Sequence, residues 1–385
     1  MNAFVKEFEA RLESIKAWRH HLHQHPELSF EEVNTARYIA DLVKSWGYDV
    51  VEGIGKHGVI ASMTVGDGQK SIGLRADIDA LPIQEDNNLP YKSTVGGVSH
   101  LCGHDGHSTM LLAAGEYLAR TRNFAGTVRL IFQPAEETMA GGQAMIRDGL
   151  FDRWPVDAVF GMHNMPGLEL GKLHFRDGEM MAAVDNWEIE LTGKGSHGSM
   201  PELSVDPVVA GSSLVMALQT IVSRNVSPHN KAVVTVGAFI AGQAGNVIAQ
   251  SAILRLSIRT TTPEDRTLVL GKVLSLTEMQ AESFGCAYEI RQGVAGAVLV
   301  NDPGETAKAA AIAREAFGAD AVMYPGPSYL GSEDFAFMLQ KKKGTYCLLG
   351  NGDTPMVHHP QYVFDDAILA IGAAYWVTLT EQCLA

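Results

Sequence analysis

The run SIGLRAD (71–77), then DGHSTMLLAAGEYLART (105–121), then TVRLIFQ (127–133), decides the fold. The first and third are short apolar runs that read as buried strands, and the longer stretch between them has helical spacing. Outward from these, AGGQAMIRDG (140–149) reads as a short helix closed by Gly149, and VDAVFGM (156–162) as another strand. Strands alternating with helices predict an α/β domain with a largely parallel sheet. Towards the N-terminus, Phe4, Phe8, Leu12 and Ile15 have helical spacing. A second helix is expected from Ser29, with Ser29 and Glu32 as a capping box and Val33, Ala36, Ile39, Ala40 and Val43 as its apolar stripe.

The pattern changes near residue 183. WEIELTG (187–193) reads as a strand, followed by the loop KGSHGSMPELS and a helix from about Val205 to Ser223. Strands KAVVTVGAFI (231–240) and SAILRLSIRT (251–260) come next, then a helix from Pro263 to about Phe284 and the strand CAYEIRQ (286–292). Strand, helix, strand, strand, helix, strand is the ferredoxin-like order. The α/β pattern then resumes, with helices near 303–317 and 332–340, the strand TYCLLGN (345–351) and a closing helix from Asp365. The expected architecture is therefore a catalytic domain in two pieces, 1–182 and 294–385, with a smaller α+β domain, 183–293, inserted.

At 385 residues the chain exceeds one compact core. Its 46% hydrophobic and 19% charged residues are those of a soluble globular protein. A net charge of −14, from 30 basic and 44 acidic residues, excludes a nucleic-acid partner, because no basic block could neutralise a phosphate backbone. The start MNAFVKEFEARLESIKAW lacks the apolar core of a secretory signal, and no run approaches the length of a membrane span. Cys102, Cys286, Cys347 and Cys383 show no paired spacing, so a cytoplasmic location is expected.

Asp77, Glu136–Glu137 and His163 each sit just past the end of a predicted buried strand, the edge at which open α/β sheets bind ligands. Cys102 and His104 lie in the glycine-rich LCGHDGH before a helix. A buried cysteine and a helix-terminal histidine with Asp105 as N-cap is one reading; a ligand site approached through Gly103 and Gly106 is the other. Zinc and its neighbours bind such N, S and O donors, and hydrolysis wants a spare carboxylate beside the metal. Glu136 and Glu137 read either as a solvated turn or, because they follow Gln-Pro-Ala and Pro134 fixes the chain, as a pair in which one side chain can reach a metal while the other stays free as general base. His163 could equally be a satisfied core histidine. Asp77 and Asp79 form either a turn or, through Asp77, support behind an imidazole or thiolate ligand. His20, His21, His23 and His25 read as a helix end and turn, because Pro26 terminates the segment and no cysteine or carboxylate is interleaved.

In order, HLHQHPELSFEE, LRADIDALPI, CGHDGH, FQPAEE, GGQAMIRDG, GMHNMPGL, GKGSHGSMP, VDP, NVIA, SIRT, GSEDFAFM and the terminal HHP run along nearly the whole chain. Together they resemble the aminoacylase and carboxypeptidase-type co-catalytic metallopeptidases, in the branch of hippurate hydrolases, N-acyl-amino-acid amidohydrolases and auxin-conjugate hydrolases. The resemblance implies a phosphorylase/hydrolase-like catalytic domain with an α+β dimerisation lid. It implies two divalent metal ions per subunit (zinc, manganese, cobalt or nickel) held by Cys102, His104, Glu137, His163 and His358. Glu136 would be the general base, and Asp77 would steady a ligand. His197 would reach across a homodimer interface to stabilise the oxyanion, Asn246 and Arg259 would take the substrate's carboxylate or oxyanion, and Gly331 would offer backbone contacts. The implied substrate is an N-acyl-L-amino acid; a dipeptidase or carboxypeptidase with the same site is the alternative. A non-catalytic binder is disfavoured because the base and all five ligands are present. Glu202 stands where many relatives carry a second histidine, Ala249 where proline is usual, and His359 where asparagine or serine is common.

Overall fold

In the computed structural model, which describes residues 2–385, the chain forms two compact units. One comprises the chain up to Gly178 with Val300–Pro327 and Asp334–Ala385; the other comprises Glu179–Leu299 and Ser328–Glu333. The expected divisions were 182/183 and 293/294; here they fall at 178/179 and 299/300. Ser328–Glu333 joins the second unit through backbone pairing, Ala182 N–H to Gly331 C=O at 2.9 Å and Tyr329 N–H to Met180 C=O at 2.8 Å.

The first unit holds an eight-stranded sheet. Its centre is four mutually parallel strands in the order Gly126–Gln133, Ser71–Asp77, Ala158–Met165, Gly344–Gly350. These are the apolar runs of the sequence, and Ser71–Asp77 is buried from its second residue onward. Gly58–Val65 and Asp49–Ile54, which the sequence reading did not separate from the loops, extend one side antiparallel. The register brings Asp77 level with Gln133, and His163 level with Leu348. His163 thus lies within the end of its strand rather than past it. Helices His104–Thr121 and Ile368–Cys383 pack together, the latter buried nearly all round, as its continuous apolar sequence requires.

The helix Val33–Ser45 corrects one expectation. Its N-cap is Glu32, whose own side chain makes no cap bond; the Glu27 carboxylate instead accepts the first-turn amides of Asn34 (2.9 Å) and Thr35 (2.8 Å). Tertiary partners take both members of the expected capping box: Ser29 Oγ donates to Asp79 (2.7 Å), and Glu32 accepts the amides of Phe30 (2.9 Å) and Ala135 (2.8 Å).

The second unit is an antiparallel sheet in the order Ala232–Ala241, Ser251–Thr260, Ala183–Thr192, Ala287–Gly296. Helices Pro207–Asn225 and Pro263–Phe284 start at a capping Asp206 and a capping Thr262, each followed by proline at the first helical position. Trp187, Ile189 and Leu191 share a core with Leu214, Leu218, Val269 and Val273. Among the described residues, no helix is long and apolar enough to cross a membrane.

Candidate metal centre

The carboxyl edge of the parallel strands, with the loops and the helix start beyond it, brings Cys102, His104, Glu136, Glu137, His163 and His358 together. Their donor atoms form three overlapping groups, Cys102–His104–His163, Cys102–Glu137–His358 and His104–Glu136–Glu137, each within 4.8 Å. Cys102 Sγ is 3.4 Å from His163 Nε2, and His358 Nε2 is 3.4 Å from Glu137 Oε2. His104 Nε2 lies 3.8 Å from Glu137 Oε1, 3.9 Å from Glu136 Oε2 and 3.8 Å from Asp77 Oδ2.

Two glycines of the loop are required by packing. Gly103 has φ of 92°, and a Cβ there would meet Asn164 Oδ1 at 2.2 Å; a Cβ on Gly106 would meet the Phe364 ring at 2.2 Å. The helix N-cap is Gly103, not Asp105. Asp105 is instead buried against Arg19 (2.9 Å) and His23 (2.9 Å). Of the four clustered histidines, His23 and His20 are therefore tertiary anchors, the latter 3.0 Å from Asp366, while His25 closes the helix end.

Each imidazole is turned by its other nitrogen. His104 Nδ1 faces the carbonyl (3.0 Å) and carboxylate (3.2 Å) of Asp79, and His163 Nδ1 faces the carbonyl of Asn164. In both, Nε2 is left for the cluster. The support that sequence reading gave to Asp77 therefore comes to His104 from Asp79. Asp77 bonds His107 (2.7 Å) and Arg75 (2.7 Å), and His107 in turn bonds Asn164 (2.8 Å). Asp79 was weighed only as part of a turn, and His107 and Asn164 were not singled out; the closeness of Asp79 to Asp77 at the strand end was the available signal.

The site demands a cation. His104 Nε2 and Glu137 Oε1 are buried with no hydrogen-bond partner among the described residues, a costly state unless a ligand engages them. Burial opposes charge on His104, yet the carboxylates of Asp77, Asp79 and Glu137 lift it to about 10. Burial, then Glu137, Glu136 and Asp77, pushes the Cys102 thiol well up, whereas a bound divalent ion would hold it as thiolate. Burial and neighbouring His107 keep His163 neutral, as a ligand must be. Thiol, imidazole and carboxylate donors around buried negative charge fit a zinc-like ion.

The second unit gathers the remaining named residues in two places. His197 pairs with Val247 in a short ribbon, and Gly198 N–H donates to Asn246 C=O (2.8 Å), so His197 and Asn246 are exposed neighbours. Arg259 Nη1 donates to Ser332 Oγ (2.7 Å), beside Gly331.

Donors of this kind around a spare carboxylate are the equipment of a metal-dependent hydrolase. The chain belongs to peptidase family M20/M25/M40, whose sequence model it matches over residues 73–382. It is similar to hippurate hydrolase of Campylobacter jejuni, 45% identical over 366 residues that cover 95% of each chain. It is also similar to N-acetyl-L-cysteine deacetylase of Bacillus subtilis, 38% identical over 93% of this chain and 85% of that one. Among solved structures it resembles the Bacillus subtilis YXEP protein, a dinuclear metal binding peptidase from the M20 family. The TM-score is 0.84 at 32% identity, covering 98% of this chain and 99% of that one.

Proposed function

We propose that this protein is a metal-dependent amidohydrolase that cleaves the linear amide of N-acyl-L-amino acids, releasing a carboxylic acid and an amino acid. The observation that carries this reading is the orphaned pair His104 Nε2 and Glu137 Oε1, buried beside a second carboxylate, Glu136. Cys102, His104, Glu137, His163 and His358 would hold two divalent ions, with zinc and manganese the first to test. Such a pair, when bound, lowers the pKa of water towards neutrality and polarises the scissile carbonyl. Glu136 accepts the proton of the attacking water and delivers it to the leaving amine. His197 and Asn246 donate to the developing oxyanion, and Arg259 holds the substrate carboxylate bidentately, which restricts substrates to acylated amino acids.

The second unit is assigned as a dimerisation lid, so that His197 serves the partner's site in a homodimer. Its edge strand Ala232–Ala241 and helix Pro207–Asn225 support this with exposed apolar side chains: Ile240 is 51% exposed, Val209 51% and Met216 70%. Four free cysteines support a reducing cytoplasm. The test is a hydrolysis panel of N-acetyl, N-benzoyl and indole-acetyl amino acids beside dipeptides, with added Mn²⁺, Co²⁺ or Zn²⁺. Turnover of the acyl conjugates is expected; turnover of dipeptides alone would overturn the substrate class.

A further inference from the structure

The backbone on both sides of Glu136 is held by buried carboxylates from distant parts of the chain. On one side the amide of Glu137 donates to Asp79 Oδ2 (3.0 Å). On the other the amide of Ala135 donates to Glu32 Oε1 (2.8 Å), across 103 residues of sequence. Ala135 has φ of 51°, a left-handed conformation that a non-glycine residue keeps only when its surroundings impose it. The same Glu32 oxygen accepts the amide of Phe30 (2.9 Å), where φ is 63°. Glu32 therefore stabilises two disfavoured turns at once, one at its own helix entry and one immediately before the general base. Downstream, Gly141 N–H closes on Ala135 C=O (3.0 Å) and Met139 N–H on Glu136 C=O (2.7 Å), so the turn has little other freedom.

We propose that Glu32 is a positioning residue for hydrolysis: by accepting the Ala135 amide it fixes the left-handed turn that aims Glu136 at the reacting water. The proposal rests on Glu136 being the base. Glu32 is fully buried, and its other oxygen has no hydrogen-bond partner among the described residues. Burial lifts its carboxyl to about 7, so the neutral amide of glutamine is a fair substitute for it.

The test compares Glu32→Gln, which keeps an acceptor for both amides, with Glu32→Met, which keeps length and apolar packing but accepts nothing. Displacing a catalytic group by about 1 Å costs on the order of 10²-fold. The expected result for Glu32→Met is a kcat lower by about that factor, with KM, metal content and thermal midpoint near those of the parent. Glu32→Gln should keep kcat within about threefold, the amide oxygen replacing the carboxylate as acceptor. A metal-loaded Glu32→Met enzyme with parental kcat overturns the proposal. So does a folded, metal-loaded Glu32→Gln enzyme whose kcat falls by on the order of 10²-fold, a measurement that stands even where the methionine variant fails to fold. Glu136→Gln is assayed alongside. If it turns over substrate, the base assignment falls and the Glu32 role with it; if it is dead while Glu32→Met is active, only the Glu32 role falls.

Discussion

Glu136 and Glu137 are chemically identical neighbours in different surroundings. Glu137 offers one oxygen to His358 and a second, orphaned one near His104, whereas Glu136 stands 3.9 Å from His104 with a backbone fixed on both sides. Glu136→Gln is therefore expected to lose turnover by roughly 10²–10⁴-fold while keeping its metal, checked by metal analysis beside the assay. Loss of metal instead would mean that the two glutamates are exchanged. Cys102 gives an independent test. A coordinated thiolate resists iodoacetamide in the metal-loaded protein, and chelation is expected to open Cys102 to labelling, at a rate held down by its burial and the carboxylates beside it. Equal labelling with and without chelator would rule out ligation.

At the scale of elements, the helix Leu12–Gln24 is pinned to the start of helix His104–Thr121 by buried charge. Arg19 is 1% exposed and bonds Asp105 and Asp366, and His23 bridges Asp105 and Glu85. Burial alone would lower the His23 pKa, but hydrogen bonds to Asp105 and Glu85 carry it up to about 9. Because this lies above the unfolded value near 6.5, protonated His23 contributes stability that is complete below that pH and lost as pH rises through 9. His23→Leu is expected to destabilise the protein by on the order of 3 kcal/mol at pH 6, and by less at pH 9.5. Urea melts of parent and variant at both pH values measure the difference. A gap that does not narrow would show that packing, not charge, anchors the helix.

For the whole molecule, the decisive question is whether a site needs two chains. A mixture of His197→Ala with Glu136→Gln under subunit exchange answers it. If His197 acts on the partner's site, a mixed dimer has one site with both defects and one with neither, and activity returns. One oxyanion donor is worth about 10²–10³-fold, so the regained signal stands well above the separate variants. Mixed dimers that form and stay inactive would refute action in trans.

Much of this was legible in the chain. The apolar runs ending at Asp77, Gln133 and Met162 set strand positions, although the third strand runs on to Met165, because a strand buried on both faces needs unbroken apolar sequence. Candidate donors were singled out by their types and by where the runs stop, and the full ligand set came only with the family resemblance. Partner choice was not legible, because it depends on which loops meet across the fold, and sequence spacing carries no such distance. Ser29 and Glu32 had the spacing of a local cap, yet bond to Asp79 and Ala135. Asp77 is the last residue of its strand and Asp79 lies in the loop beyond it, and the packed chain gave His104 to Asp79 and His107 to Asp77. The sequence by itself determined the central parallel strands, the main helices and the residue types of the candidate donors. Only the tertiary structure decided which carboxylate steadies which imidazole, since a buried polar group takes whichever partner the packed chain brings within hydrogen-bond reach.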